Sequence, residues 1–140
     1  MSKIKGSCLR GNVTYESSAD EPLMVATCHC THCQKQSGSS FSVNLGVPAG
    51  SVILSGDALK IYEDKGTDSG VPMLRKFCSN CGSPILSEVL AAGGLNFIKA
   101  GTLDDSSWVV PGAEIWCESK VSWGAPPADS LQMPGNPPLG

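Results

Sequence analysis

The chain of 140 residues sets 10 Lys and Arg against 13 Asp and Glu, a formal net charge of −3, and its length suits one domain able to bury its own core. The basic residues are scattered rather than gathered on one stretch, which excludes the electrostatic footprint of a nucleic-acid binder. Neither an apolar leader nor a run of roughly 20 apolar residues is present, so the expectation is a soluble, cytoplasmic protein with no nucleic-acid or membrane partner.

In chain order, residues 31–36 can form a turn of helix. Residues 41–47 alternate large apolar with small or polar side chains, the period of a strand with one buried face. Shorter β-like stretches follow at 51–54, 59–62, 84–89, 95–99 and 113–117, divided by turn clusters such as 66–70 and 91–94. Many short strands with glycine-rich punctuation predict a mainly β domain over residues 1–125. Residues 126–140 hold five of the ten prolines and no periodicity; they read as an extended C-terminal tail, either disordered or strapped over the domain.

Seven cysteines stand at positions 8, 28, 30, 33, 78, 81 and 117. Closely spaced groups, odd in number and without an export signal, argue for metal ligation over disulfides. Cys78-Ser79-Asn80-Cys81-Gly82 lets two thiolates reach one tetrahedral ion, and the glycine permits the positive φ that turns N–H groups toward sulfur. A thioredoxin-type redox pair has the same spacing, but no βαβ pattern surrounds this one. Cys28-His29-Cys30-Thr31-His32-Cys33 places three thiolates within six residues. In an extended segment Cys28 and Cys30 share a face, and a turn after Cys30 brings Cys33 to the same point. Three protein ligands and one vacant position is the arrangement of a catalytic zinc; a closed structural site with a distant fourth ligand is the alternative.

Other residues carry weaker signals. His29, between two inward thiolates, is expected to point away from a metal held by them. His32 is a candidate fourth ligand, proton shuttle or exposed loop residue. Cys117 is expected to be a buried thiol packed as a small hydrophobe. Asp104 and Asp105 look like a turn that caps backbone N–H groups, and Trp108, Trp116 and Trp123 like core or pocket walls.

Taken together, Gly6-Ser7-Cys8, Gly11, the Cys28-His29-Cys30 and Cys33 group with Gln34, Lys35 and Gly38, the run Phe77-Cys78-Ser79-Asn80-Cys81-Gly82-Ser83, Gly101-Thr102-Leu103-Asp104-Asp105, and Pro111, Ile115, Lys120 and Trp123 resemble the glutathione-dependent formaldehyde-activating family, which includes a centromere-associated branch. The resemblance spans residues 6–123. It implies an Mss4-like fold of two antiparallel sheets and one or two Zn2+ ions per chain. Carried over by position, Cys8, Cys78 and Cys81 belong to a structural metal site, and Cys28, Cys30 and Cys33 to the site of glutathione and aldehyde chemistry. Arg10 stands where the family has a fourth structural cysteine, and a guanidinium does not ligate zinc. Water or another side chain then completes that site, or zinc is held weakly there, or the open position has moved to it. Glu114 replaces a histidine common in the family.

The function expected on this basis is a zinc-dependent carbon–sulfur lyase or synthase, similar to S-hydroxymethylglutathione synthase, acting through Cys28, Cys30 and Cys33, with His29, His32 and Arg10 around the metals. Its partner would be a small-molecule thiol or carbonyl compound, glutathione included. A non-catalytic zinc module that binds a protein partner and a zinc-dependent isomerase of a carbonyl metabolite are the alternatives, and the oligomeric state is left open.

Overall fold

A computed structural model describes residues 2–137. Among the described residues ten strands form two sheets: β1 (Lys5–Ser7), β2 (Thr14–Ser17), β3 (Met24–Cys28), β4 (Ser42–Val47), β5 (Val52–Ser55), β6 (Leu59–Asp64), β7 (Met73–Cys78), β8 (Pro84–Val89), β9 (Leu95–Lys99) and β10 (Ala113–Ile115). The small sheet has the order β1-β2-β5 and the large one β10-β3-β4-β9-β8-β7-β6. The expected mainly β, two-sheet architecture is therefore present. Pairings within both sheets are antiparallel except for β10, which runs parallel to β3 with Glu114 opposite Thr27 and Ile115 opposite Cys28.

The core lies between the sheets. Ile4, Val13 and Tyr15 come from the small-sheet side, while Leu45, Val47, Ile85, Leu86 and Ile98 come from the central strands β4, β8 and β9. Fully burying each large aliphatic side chain contributes about 1.5–3 kcal/mol, which fixes these strands as the platform for everything around them. Gly6 joins the layers. It bridges to Leu103, and a Cβ there would overlap the Thr102 carbonyl oxygen and press on the Tyr15 hydroxyl.

Helix α1 (Thr31–Ser37) connects β3 to β4, as the sequence suggested for this segment. Its N-cap is Cys30, whose sulfur accepts from the Cys33 amide, and it ends at Gly38 in the left-handed conformation that glycine adopts without strain. Between β7 and β8 the register shifts at Lys76/Phe77. Such a bulge re-aims the side chains that follow, here Cys78.

The sequence-level strands at 84–89 and 95–99 coincide with β8 and β9. Strand β7 was not legible because Arg75 and Lys76 interrupt its apolar pattern. Residues 126–137 form no helix or strand and are largely exposed; 138–140, the end of the expected tail, lie outside the described residues. Among the described residues no helix is long and apolar enough to cross a membrane.

Candidate functional site

The end of β3 and the start of α1 bring Cys28, Cys30 and Cys33 together, with their sulfurs within 4.8 Å of one another. Cys28 sits opposite Ser42 of β4 and Ile115 of β10, so strands flank it on both sides. Cys33 lies 3.5 Å from Cys28, sulfur to sulfur, and its amide donates to the Cys30 sulfur at 3.2 Å. Two thiolates on a tetrahedral zinc stand ~3.8 Å apart for bonds of about 2.3 Å. The trio fits such an ion in both donor type and spacing.

These sulfurs line a cavity of about 290 Å³ walled by Phe97, Trp116 and Val71 and containing Lys99 and Arg75. Both cations are buried yet satisfied. The Lys99 ammonium donates to the Ser42 hydroxyl at 3.0 Å, and the Ser42 hydroxyl donates to Asn44 Oδ1 at 2.9 Å. Arg75 Nε donates to Asp64 Oδ2 at 2.8 Å and Nη1 to Gln36 Oε1 at 2.8 Å. Burial pulls the Lys99 pKa down, partly opposed by attraction to Cys33. The Cys33 pKa is lowered by hydrogen bonds from Cys28 and Cys30 and by the charges of Lys99 and Arg75. Conversely, hydrogen bonding to Cys30 and Cys33 pushes Cys28 up, so Cys28 and Cys33 differ in how readily they lose a proton.

His32 does not join the thiol trio. Its Nδ1 lies 2.7 Å from Asp64 Oδ2, which makes it the outer end of a His32–Asp64–Arg75 chain. Burial pushes Asp64 up, but hydrogen bonds from His32, Arg75 and the Gly66 amide outweigh it and hold the carboxyl at about 2.

His29 turns its buried ring to the other side of the strand, with Nε2 2.8 Å from Glu114 Oε1 and its edge against Phe41. Sequence reasoning did not anticipate this pairing, because only the parallel seat of β10 on β3 puts Glu114 beside it. With Cys117 the two form a third group of potential ligands. The same Glu114 oxygen also takes the Lys120 ammonium at 3.1 Å, so this trio reads as a polar brace for β10.

Cys117 itself is exposed, which corrects the expectation of a buried thiol. Trp116 adopts φ 58°, ends the strand and turns the chain outward, where the β-like pattern had suggested that the strand continues. Trp123, expected as a wall, is also exposed, whereas Trp108 packs on the core and Trp116 lines the cavity. Asp105 caps the Ser107 amide at 3.0 Å, as a turn residue.

The second cysteine group is equally assembled. Cys8 after β1, Cys78 at the end of β7 and Cys81 in the turn to β8 place their sulfurs within 4.8 Å of one another, so their donor set also fits zinc. Gly82 has φ 81°, and its amide closes the turn onto the Cys78 carbonyl at 2.8 Å. Ser83, through its hydroxyl and its amide, and the Arg10 amide lower the Cys81 pKa to about 6. The Arg10 residue is exposed. Asn12 is exposed as well, but its Oδ1 lies 3.0 Å from the Cys8 sulfur and 3.7 Å from that of Cys78. A broader depression of about 750 Å³ over the small sheet, along Lys5, Glu16, Ile53 and Asp104, contains no cysteine or histidine. The smaller cavity at Cys28, Cys30 and Cys33 is therefore the candidate site.

Comparison with known proteins follows the same lines. Residues 3–119 match the family model described as glutathione-dependent formaldehyde-activating enzyme. A protein of Phaeosphaeria nodorum, named provisionally as such an enzyme, is 26% identical over 103 residues. That match covers 71% of this chain and 53% of the relative, so the chain spans about half the relative's length. A crystal structure of a Rhodobacter sphaeroides protein superposes with a TM-score of 0.59 at 18% identity, covering 79% of this chain and 99% of that one. This likeness is one of fold.

Proposed function

The chain belongs to the glutathione-dependent formaldehyde-activating enzyme family, and we propose that it is a zinc-dependent carbon–sulfur lyase or synthase acting on thiol adducts of an aldehyde. The observation that carries this reading is the convergence of three thiols on a cavity that also holds two buried cations. The family's description supports glutathione as the thiol and formaldehyde as the carbonyl. At about 290 Å³ the cavity lies at the lower end of ligand pockets. It suits the reacting thiol and a one-carbon partner, with the rest of the peptide at the mouth.

In the forming direction the thiol sulfur adds to the carbonyl carbon, the C–S bond forms as the C=O π pair moves to oxygen, and that oxygen takes up the proton the thiol gave up. The product is a hemithioacetal, and the lyase direction reverses each change. Cys28, Cys30 and Cys33 would hold zinc, which when bound lowers the pKa of a thiol and polarises a carbonyl. Lys99 and Arg75 offset the negative charge of the thiolates and of the developing oxygen, and their effect is strengthened because both side chains are buried. Phe97 and Trp116 help to exclude water. Free thiols of this kind persist in a reducing cytoplasm, which is the compartment this chemistry fits. A purely structural zinc module would have no use for a cavity at an incomplete thiol set, and this favours the enzyme.

The test is the exchange of formaldehyde between its free form and its glutathione adduct, followed by exchange NMR. The zinc-loaded protein should accelerate exchange above the spontaneous rate, lose that effect to a chelator and regain it with zinc. Cys117→Ser should leave it unchanged. A zinc-replete protein that leaves the spontaneous rate unaltered would contradict the proposal.

A further inference from the structure

The Cys8, Cys78 and Cys81 group has three thiols and a fourth position that sequence leaves open, because Arg10 cannot ligate. The Arg10 side chain offers no alternative, since its guanidinium stays protonated and has no lone pair to give a metal. Two side-chain oxygens approach the sulfurs: the Ser83 hydroxyl, 3.2 Å from that of Cys81, and Asn12 Oδ1, which lies near those of both Cys8 and Cys78. We infer that Asn12 supplies the fourth metal ligand of this site through its carboxamide oxygen, giving a three-sulfur, one-oxygen zinc centre. This rests on the reading that the Cys8, Cys78 and Cys81 group holds zinc.

The geometry favours this assignment. A sulfur and an oxygen on one tetrahedral zinc lie about 3.5 Å apart, for bonds of about 2.3 Å and 2.0–2.2 Å. Asn12 Oδ1 stands 3.0 Å from one sulfur and 3.7 Å from another, on either side of that value. The backbone holds it there. A tight turn closes with the Gly11 amide on the Cys8 carbonyl at 3.0 Å and the Cys8 amide on the Val13 carbonyl at 2.9 Å. The Val13 amide also donates to the Cys8 sulfur at 3.3 Å. Four residues after Cys8, Asn12 is thus carried back over the sulfur by the same turn that exposes Arg10.

The chemistry differs from a four-cysteine site in one measurable way. Three thiolates and a neutral amide leave a divalent ion with a net charge of −1, against −2 for four thiolates, so the centre demands less charge compensation. It also carries one sulfur fewer, and sulfur-to-metal charge transfer in a cobalt(II)-substituted protein scales with the number of thiolate ligands.

The experiment loads the full-length protein with cobalt(II), records the thiolate charge-transfer band, and measures zinc release to a chelator. Wild type is compared with Asn12→Cys, Asn12→Asp and Asn12→Ala. The cobalt signal of the Cys28, Cys30 and Cys33 group is common to all four and cancels in difference spectra. Asn12→Cys should add one thiolate's worth of charge-transfer intensity, and Asn12→Asp should retain the metal. Asn12→Ala should release zinc from one site about tenfold faster or more. If Asn12→Ala does not fold, the Asn12→Cys band decides the matter alone. An Asn12→Cys spectrum identical to wild type, or unchanged zinc release from a folded Asn12→Ala, would overturn the assignment. Should wild type take up only one cobalt ion, and Cys78→Ser leave its spectrum unaltered, the metal reading of this group fails along with it.

Discussion

Asp64 has one carboxylate oxygen shared by two donors, Arg75 at 2.8 Å and His32 at 2.7 Å. Its side chain and that of Arg75 are only 6% and 5% exposed, so the pair counts as buried. Deleting one partner of such a pair strands the other, a loss of about 3 kcal/mol. Asp64→Asn should therefore lower the thermal midpoint by about 10 °C. It should also weaken catalysis, since Arg75 would no longer be aimed along the cavity wall. The pH dependence has a definite sign. Because the folded value of about 2 lies below the ordinary 3.8, the carboxylate's contribution is complete above pH 3.8 and disappears as pH falls toward 2. The stability gap between wild type and Asp64→Asn, measured by urea unfolding, should close across that window. A gap constant with pH would show that Asp64 acts through packing alone.

Among the elements, β1 is only three residues long, with Cys8 directly after it. Gly6 at its centre lets the strand run against Thr102 and Leu103. A methyl group there must displace backbone, which costs about 1–3 kcal/mol and moves Cys8 relative to Cys78 and Cys81. Gly6→Ala should lower stability by that amount and speed zinc loss to a chelator. Gly101→Ala, where an added Cβ meets nothing within 4 Å, should stay within about 0.5 kcal/mol of wild type. Equal stability and equal zinc retention in the two variants would remove the role given to β1. The two neighbours of β3 differ in what the sequence reveals. Alternation marks β4, whereas β10 is three residues seated in parallel by a long-range pairing, and no local pattern encodes its partner.

Across the whole molecule, what the sequence reveals follows physical range. The cysteine trios are legible because a CxCxxC or CxxC spacing constrains sulfurs locally, and the structure brings each set together. Strands β8 and β9 are legible because glycine and proline bound a simple apolar pattern. Strand β7 is hidden because Arg75 is buried by a partner on β6, eleven residues earlier, which no periodicity shows. Asn12 is hidden for a different reason. Asparagine in a glycine-bearing turn looks like turn chemistry, and its approach to a second sulfur, that of Cys78, exists only once β7 stands beside the turn. Cys117 was misread because a β-like run does not announce the positive φ at Trp116 that ends it.

We place the chemistry at the Cys28, Cys30 and Cys33 group and a separate structural role at the Cys8, Cys78 and Cys81 group. Cys30→Ser removes the middle thiol of the first group and leaves the second intact. The most direct measurement is the rate of formaldehyde exchange with glutathione catalysed by folded Cys30→Ser that still carries zinc at the second group. The rate should fall to the spontaneous value. A rate equal to wild type in that sample would contradict the assignment of the chemistry to these three cysteines.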